Sequence, residues 1–504
     1  MKPAAIARLV IPLALGAALT AQPAAFALLW TSSGEASGDQ GAAPAPVSPI
    51  PSERQLAWHE LEFYGFLHFT VNTFTDKEWG YGDENPAIFN PSALDARQWA
   101  RVARDTGMKG LIITAKHHDG FCLWPSRYTE HSVKRSPWKD GRGDVLAELS
   151  RACREYGLKL GVYLSPWDRN HGDYGRPEYL TYYRHQLREL LTQYGPVFEV
   201  WFDGANGGDG FYGGARERRR IDNTTYYDWP NTWDLVRQLA PPAVMFSDAG
   251  PDVRWVGNEA GTAFETTWYG LDRSKVYPGD PRYAKEFARG SLDSGDWVPP
   301  EVDVSIRPGW FYHPAEDAKV KSVDDLLEIY YRSVGRGANL LLNIPPDRRG
   351  LIPDVDAGRL RELRRVLDAT FRTDLAKGAR VTATDVRGPS NRFAAGLVAD
   401  GNDRTYWATN DGVTTASVEL ELREAAVFDR VVLQEAVALG QRVEAWHVQA
   451  EVDGRWQPVG EGTSIGYKRI LRCEPVKARR VRVTIDKARA CPTLNTVGLF
   501  KSQS

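Results

Sequence analysis

Residues 198–205, Phe-Glu-Val-Trp-Phe-Asp-Gly-Ala, end an aromatic and β-branched run on one carboxylate and a glycine. A buried acid at a strand end costs free energy unless it is paired or used, and strand ends are where parallel α/β barrels place their chemistry. An Asp after a strand can also cap the next helix. The following Asn-Gly-Gly-Asp-Gly of residues 206–210 has no helical pattern, so Asp203 reads as a working carboxylate. A second acid, Glu259, stands beside Trp255 in the glycine-bounded run of residues 254–261. A carboxyl held against apolar surface has its pKa raised, as a general acid requires. One ionised and one protonated carboxyl in one barrel mouth is the arrangement of glycoside hydrolysis. Spacing alone leaves Glu265, Asp209 and Asp252 as competitors for the second role.

The run Lys116-His117-His118-Asp119-Gly120 follows another strand-like segment. Adjacent histidines invite a metal, but side chains alternate across a strand, and no third ligand sits at a recognisable spacing. Neutral imidazoles at a barrel rim are instead suited to bonding hydroxyls, although one of the two could be structural. His68, Trp167 and Asp168 end further strands on the same rim. The glycine-rich residues 206–214 form no phosphate loop, since no Gly-Lys-Ser/Thr follows. The basic run 216–220 reads as a solvated charge cluster.

These residues need a frame that points strand ends at one mouth. Strand patterns fall at residues 63–69, 110–115, 158–164, 197–203, 243–247, near 266–269, 302–306 and 338–344. Helical periods fall at 95–106, 144–156, 179–194, 232–239, 323–334 and 357–370. That alternation over about 310 residues fits a parallel (β/α)8 TIM-like barrel, whose fifth and sixth units are irregular. Beyond Phe371 the pattern becomes strand-like without a helix, with runs at 417–422, 427–434, 445–452 and 479–485, as in a separate all-β jelly-roll sandwich. The expected organisation is a signal peptide over 1–27, a flexible linker over 28–54, a barrel over 55–371 and the sandwich over 372–504.

A chain of 504 residues with a formal charge of −2 is no electrostatic nucleic-acid binder, which would show a basic stripe. Lys2 and Arg8 precede an uncharged stretch ending near Ala25-Phe26-Ala27, a signal-peptide pattern that predicts secretion or periplasmic export and no membrane span after cleavage. Of four cysteines, Cys122 and Cys153 read as free and buried, while Cys473 and Cys491 could pair in an oxidising compartment. Seventeen Trp suit sugar stacking and core filling equally.

Several segments together carry a resemblance. Gly-Phe-Leu-His-Phe at 65–69, Glu-Trp-Gly at 78–80, Lys-His-His-Asp-Gly-Phe at 116–121, Tyr-Leu-Ser-Pro-Trp at 163–167 and Trp-Phe-Asp-Gly at 201–204 resemble, in this order, the motifs of glycoside hydrolase family 29, the retaining α-L-fucosidases. The resemblance spans residues 55–371 and implies Asp203 as nucleophile. It implies a fucose pocket lined by His68, Glu78, His117, His118 and Trp167, with Trp79, Arg307 and Trp310 as further substrate contacts. Residues 254–261 and Ser-Ile-Arg-Pro-Gly-Trp at 305–310 are similar to the group selective for α-1,3- and α-1,4-linked fucose on Lewis-type glycans, in which Glu259 would be the acid/base. A broad-specificity fucosidase also cleaving α-1,2 linkages and aryl fucosides is the near alternative. A non-catalytic fucose-binding lectin is the alternative from another class, and both carboxylates argue against it. Residues 399–407 resemble a discoidin-like (factor 5/8 C-type) module, which implies a structural calcium near Asp400, Asp403 and Thr405. No cofactor is implied for catalysis.

Overall fold

In a computed structural model of the protein, residues 41–388 and 391–502 are described. The expected signal peptide and residues 28–40 of the expected linker lie outside the described residues.

Eight parallel strands close a barrel: β1 (Phe63–Leu67), β2 (Gly110–Lys116), β3 (Lys159–Leu164), β4 (Val197–Trp201), β5 (Val244–Ser247), β6 (Val253–Trp255), β7 (Pro300–Ser305) and β8 (Asn339–Asn343). Each pairs with its neighbours in chain order, and β8 pairs with β1. Parallel strands are covered on both faces, which is why β1, β2 and β8 read as apolar runs and not as alternation.

The first helix, α1 (Glu53–His59), closes the lower end of the barrel, where Trp58 and Leu61 join Tyr64, Phe66, Ile112, Tyr163, Trp201 and Phe246 in the barrel interior. The outer layer is α2 (Ala96–Asp105), α3 (Val145–Tyr156), α4 (Glu178–Gln193), α5 (Trp229–Leu239), α6 (Val323–Arg332) and α7 (Asp354–Phe371). Local chemistry sets their ends. Asp144 caps α3 by accepting from Ala147 N at 2.9 Å, and Gly157 ends it at φ 69°, where a side chain is disfavoured.

The sixth strand departs from expectation. It is the three-residue β6 at Val253–Trp255, joined to β5 without an intervening helix, and not the run near 266–269. Three residues are too few to show a period. The stretch at 266–269 looks strand-like because it is buried against the C-terminal module.

That module is antiparallel and all-β: β9 (Arg380–Ala383), β10 (Trp407–Ala408), β11 (Ala416–Glu435), β12 (Val443–Val452), β13 (Arg455–Gly462), β14 (Arg469–Ala488) and β15 (Thr493–Phe500). The order is β10-β15-β11-β14-β12-β13, with β9 on β11. The two runs expected at 417–422 and 427–434 are one twenty-residue strand, bent by a register shift between Glu421 and Ala426. Trp407, Val418, Leu420, Leu433, Trp446, Val481 and Val483 fill the module core.

Residues 41–52 correct the expectation of a flexible linker. Arg387 and Arg442 donate to the carbonyls of Ala42 and Ala45, Arg489 donates to Ser48 O, and Val47 N donates to Leu439 O, so this segment is strapped to the module. Cys473 and Cys491 are both free thiols. The turn expected to hold calcium is closed by its own hydrogen bonds. Thr405 Oγ and Asn402 N donate to the two Asp400 oxygens, and Asn495 donates to the carbonyls of Asp403 and Thr405. Among the described residues no group of three His, Cys, Asp or Glu side chains is placed to hold a metal ion, and no helix is long and apolar enough to cross a membrane.

Candidate active site

The strand ends open into a cavity of about 440 Å³ lined by, among others, His68, Glu78, Trp79, His117, His118, Asp203, Glu259 and Trp310. Trp201, Phe66 and Phe246 form its apolar floor. Asp203 stands just past β4. Its Oδ1 accepts from Ala205 N at 2.6 Å and its Oδ2 from the Tyr163 hydroxyl at 3.0 Å. Burial raises its pKa, and those two donors pull it back. The carboxylate is thereby held in one orientation by two bonds that favour its ionised form.

The histidines face the same space in a fixed tautomer. Ser165 Oγ gives its single proton to Trp167 O at 2.6 Å, so it must accept from His118 Nδ1 at 2.7 Å. Desolvation, with the charges of Arg169 and Lys116, lowers His118 to about 3. The ring is therefore neutral with a bare Nε2, which stands 3.8 Å from Asp203 Oδ2 without an ion pair. His68 repeats the logic. The Asn343 amide donates to Ser305 Oγ and Trp310 O, leaving its Oδ1 to accept from His68 Nδ1 at 2.9 Å. Burial lowers His68 to about 3 as well. His117 lies flat on Tyr163, is held well below its usual pKa chiefly by burial, and has no partner for Nδ1 among the described residues. His68 and His118 thus offer acceptors to sugar hydroxyls.

The opposite rim carries Glu259 in the loop after β6. Its carboxylate accepts from Trp310 Nε1 at 3.3 Å. Desolvation in the mouth raises its pKa, aided by the charges of Asp203 and Glu78. The competing acids are elsewhere. Glu265 pairs with Arg336 and Arg469, Asp252 is held by Arg54, Arg237 and Met245 N, and Asp209 lies in an exposed hairpin; none lines the cavity. Glu78 accepts from Trp310 N at 2.8 Å, Phe311 N at 3.1 Å and His313 Nε2 at 2.6 Å, so it orders the loop that carries Trp310. Trp79 is 51% exposed and meets His118 and Trp167 edge-on.

Two expected substrate contacts are placed otherwise. Arg307 is fully buried behind the barrel wall, bonded to both oxygens of Asp356 on α7 at 2.7 and 2.8 Å and to Asp317 at 2.9 Å. Strand alternation would have turned it inward with Asp303 and Ser305, but β7 ends at Ser305, and past that end the bonds to Asp356 and Asp317 draw the side chain into the helix layer. Trp167 backs His118 and donates to Tyr212 OH at 3.0 Å without lining the cavity. Tyr212, Trp229 and Trp297, in the segments between barrel strands, are also buried, as core aromatics.

The sequence reading missed Tyr163, Asp248 and Asp303. Asp248 follows β5 as Asp203 follows β4, a positional signal that was available; burial and the nearby Asp203 raise it to about 6. Asp303 sits within β7 and faces the cavity, pushed well above its usual pKa by burial and by Glu259 and Glu301. Below it, Glu199 and Glu301 share the barrel interior with Tyr64 and Trp201, and burial next to Glu301 keeps Glu199 protonated.

Comparison with known proteins agrees with this arrangement. Residues 50–370 match the family described as alpha-L-fucosidase, and residues 397–483 match the NedA-like, galactose-binding domain. Alpha-L-fucosidase 1 of Arabidopsis thaliana is 44% identical over 465 residues, covering 91% of this chain and 88% of its own. A glycoside hydrolase 29 family member from an unknown rumen bacterium superposes with a TM-score of 0.81 at 44% identity, over 91% of this chain and 78% of that one. A Ruminococcus gnavus family 29 fucosidase, solved in complex with fucose, gives 0.84 at 33% identity, over 92% and 97%. On the ordered motifs, the closed barrel and these matches, the chain belongs to glycoside hydrolase family 29, the α-L-fucosidases.

Proposed function

We propose that the protein is a retaining exo-α-L-fucosidase that removes α-1,3- and α-1,4-linked fucose from Lewis-type glycans. The observation that carries this reading is the pairing of a rigidly held carboxylate, Asp203, with a raised carboxyl, Glu259, on one cavity. In the first step Asp203 attacks the anomeric carbon, the glycosidic C–O bond breaks, and the Glu259 proton passes to the leaving oxygen. In the second, water attacks the fucosyl-enzyme, Glu259 takes its proton, and Asp203 is released. The bare nitrogens of His68 and His118 accept from fucose hydroxyls, and Trp310 and Trp79 flank the sugar.

Selectivity for the 1,3/1,4 linkages is supported by the loop of residues 254–261, which presents Glu259, and by Trp255 and Asp248 on the same side. A fucose pocket alone cannot distinguish linkages, so contacts to the neighbouring sugars must do so. The experiment is kcat/KM for Lewis a, Lewis x, 2′-fucosyllactose and an aryl fucoside, side by side. The first two should lead by about tenfold or more, the discrimination a few lost contacts produce. Equal or better activity on the last two makes it a broad-specificity fucosidase. Export follows as a further proposal from the N-terminal pattern, and N-terminal sequencing of the protein recovered outside the cytoplasm tests it.

A further inference from the structure

Glu259 lies in a loop between two fixed points. Val256 N donates to Glu301 O at 2.9 Å, and Ala263 N donates to Arg332 O at 2.8 Å. Between them Gly257 and Gly261 adopt φ of 92° and 77°, and among the described residues the Glu259 side chain has only the long bond from Trp310. Its position is therefore set by how firmly the loop ends are held.

The upstream end is barrel strand. The downstream end is not, because the sixth strand closes early at Trp255, and residues 264–269 run outside the barrel sheet. Their polar groups are satisfied by the C-terminal module. The Gln441 side chain, 4% exposed, accepts from Tyr269 N at 3.1 Å and donates to Thr267 O at 3.0 Å. One amide thus supplies what a neighbouring strand's peptide would supply. Thr463 Oγ meets Thr266 Oγ at 2.7 Å, and Ser464 Oγ accepts from Thr267 N at 3.1 Å. Arg469, buried, donates to Glu265 O, and its second nitrogen lies 3.5 Å from Glu265 Oε2. Glu265 is bound on its other oxygen by Arg336 of the barrel, so one carboxylate ties barrel, loop and module together. The Gln441 bonds are buried, so removing that side chain leaves Tyr269 N and Thr267 O unsatisfied, which is costlier than the bonds' own net contribution.

We propose that the C-terminal module is a positioning element for Glu259, acting through Arg469 and Gln441 on residues 265–269. The proposal rests on Glu259 being the acid/base. It predicts a defect confined to proton donation, because the groups that hold Asp203, His68 and His118 are Tyr163, Ala205, Asn343 and Ser165, all of the barrel.

The test uses the full chain carrying Arg469→Ala, Arg469→Lys or Gln441→Ala, with Glu259→Ala as reference. Two substrates are compared by kcat/KM, which reports formation of the fucosyl-enzyme. One is whichever fucosylated trisaccharide the protein cleaves best, whose sugar leaving group needs a proton. The other is 2,4-dinitrophenyl α-L-fucoside, whose leaving group departs without one. Glu259→Ala should lose about a hundredfold or more on the trisaccharide, the scale of general acid catalysis, and far less on the dinitrophenyl sugar. Arg469→Ala and Gln441→Ala should lose about tenfold on the trisaccharide and under about twofold on the dinitrophenyl sugar, with Arg469→Lys in between. Should Arg469→Ala fail to fold, Gln441→Ala, which removes no charge, carries the comparison. Parallel losses on both substrates, or no loss on either, overturn the positioning role. Equal losses in Glu259→Ala overturn instead the assignment of Glu259 on which it stands.

Discussion

The Tyr163 hydroxyl lies 3.0 Å from Asp203 Oδ2 and donates to it. Burial and the Asp203 charge push the Tyr163 pKa well above its usual value, so it keeps its proton wherever Asp203 is ionised. A donor to the ionised form lowers a carboxyl pKa, and its removal raises it. Tyr163→Phe should therefore move the acid limb of the pH–rate profile to higher pH. At the optimum, kcat/KM should fall about ten- to hundredfold, as expected for a lost hydrogen bond to a charged group at about 1.5–3 kcal/mol. An unmoved acid limb would mean that Tyr163 only packs the barrel.

Ser165 is the residue that decides which nitrogen of His118 bears the proton. Ser165→Ala frees the ring to place its proton on Nε2, facing Asp203 Oδ2 at 3.8 Å and no longer open to a fucose hydroxyl. Fucose binding should weaken several-fold, read as KM or as the inhibition constant of fucose. The acid limb should shift to lower pH, because a new donor then stabilises ionised Asp203. This shift is opposite in sign to that of Tyr163→Phe, so the pair distinguishes tautomer control from general loosening of the site.

Much of the barrel was legible because parallel strands buried on both faces read as uninterrupted apolar runs. The exception was β6, three residues long, while residues 266–269 borrowed a strand's composition from their burial under the module. In the site, Asp203, His117 and His118 stood out as polar groups ending such runs. Tyr163 and Asp303 did not, because they lie within strands, and which face a residue takes is unreadable until register is known. Aromatic composition left Tyr212, Trp229 and Trp297 undecided, since one ring serves equally as platform or core, and all three are core. Arg307 was misplaced for a related reason: proximity in sequence to Trp310 says nothing about which side of the barrel wall each faces.

Arg307 should behave as a structural ion. It makes a bidentate bond to Asp356 and a third bond to Asp317, all beyond the cavity lining. Breaking a buried pair by removing one partner leaves an uncompensated charge and costs about 3–5 kcal/mol. Arg307→Met should lower the urea midpoint accordingly, while the fucose inhibition constant of the folded protein stays within about twofold. Adding Asp356→Leu should recover part of the loss, because it removes the orphaned carboxylate. A large rise in the inhibition constant without destabilisation would return Arg307 to the substrate.

The last prediction concerns His59, at the end of α1 and far from the cavity. Its ring is enclosed by Trp58, Tyr269, Trp297 and Tyr467, and its Nε2 accepts from Trp297 Nε1 at 3.3 Å. Burial lowers it to about 3, so it is neutral in the native protein and becomes charged in the unfolded chain below about pH 6.5. Between those values the unfolded state binds the extra proton, and this residue's contribution to stability falls as pH falls. The total need not follow, because burial raises Asp119 and Glu435 to about 7, and such acids gain protons natively over the same range and work in the opposite sense. A mutant cycle across pH isolates the one group. His59→Phe should destabilise at pH 7 through the lost acceptor for Trp297. Its cost should shrink by about 2 kcal/mol at pH 5, where the wild type carries the penalty of an uncharged imidazole and the mutant does not. The measurement is the urea unfolding free energy of both proteins at the two pH values and one ionic strength. A cost that is the same at both would mean that His59 titrates normally in the native protein.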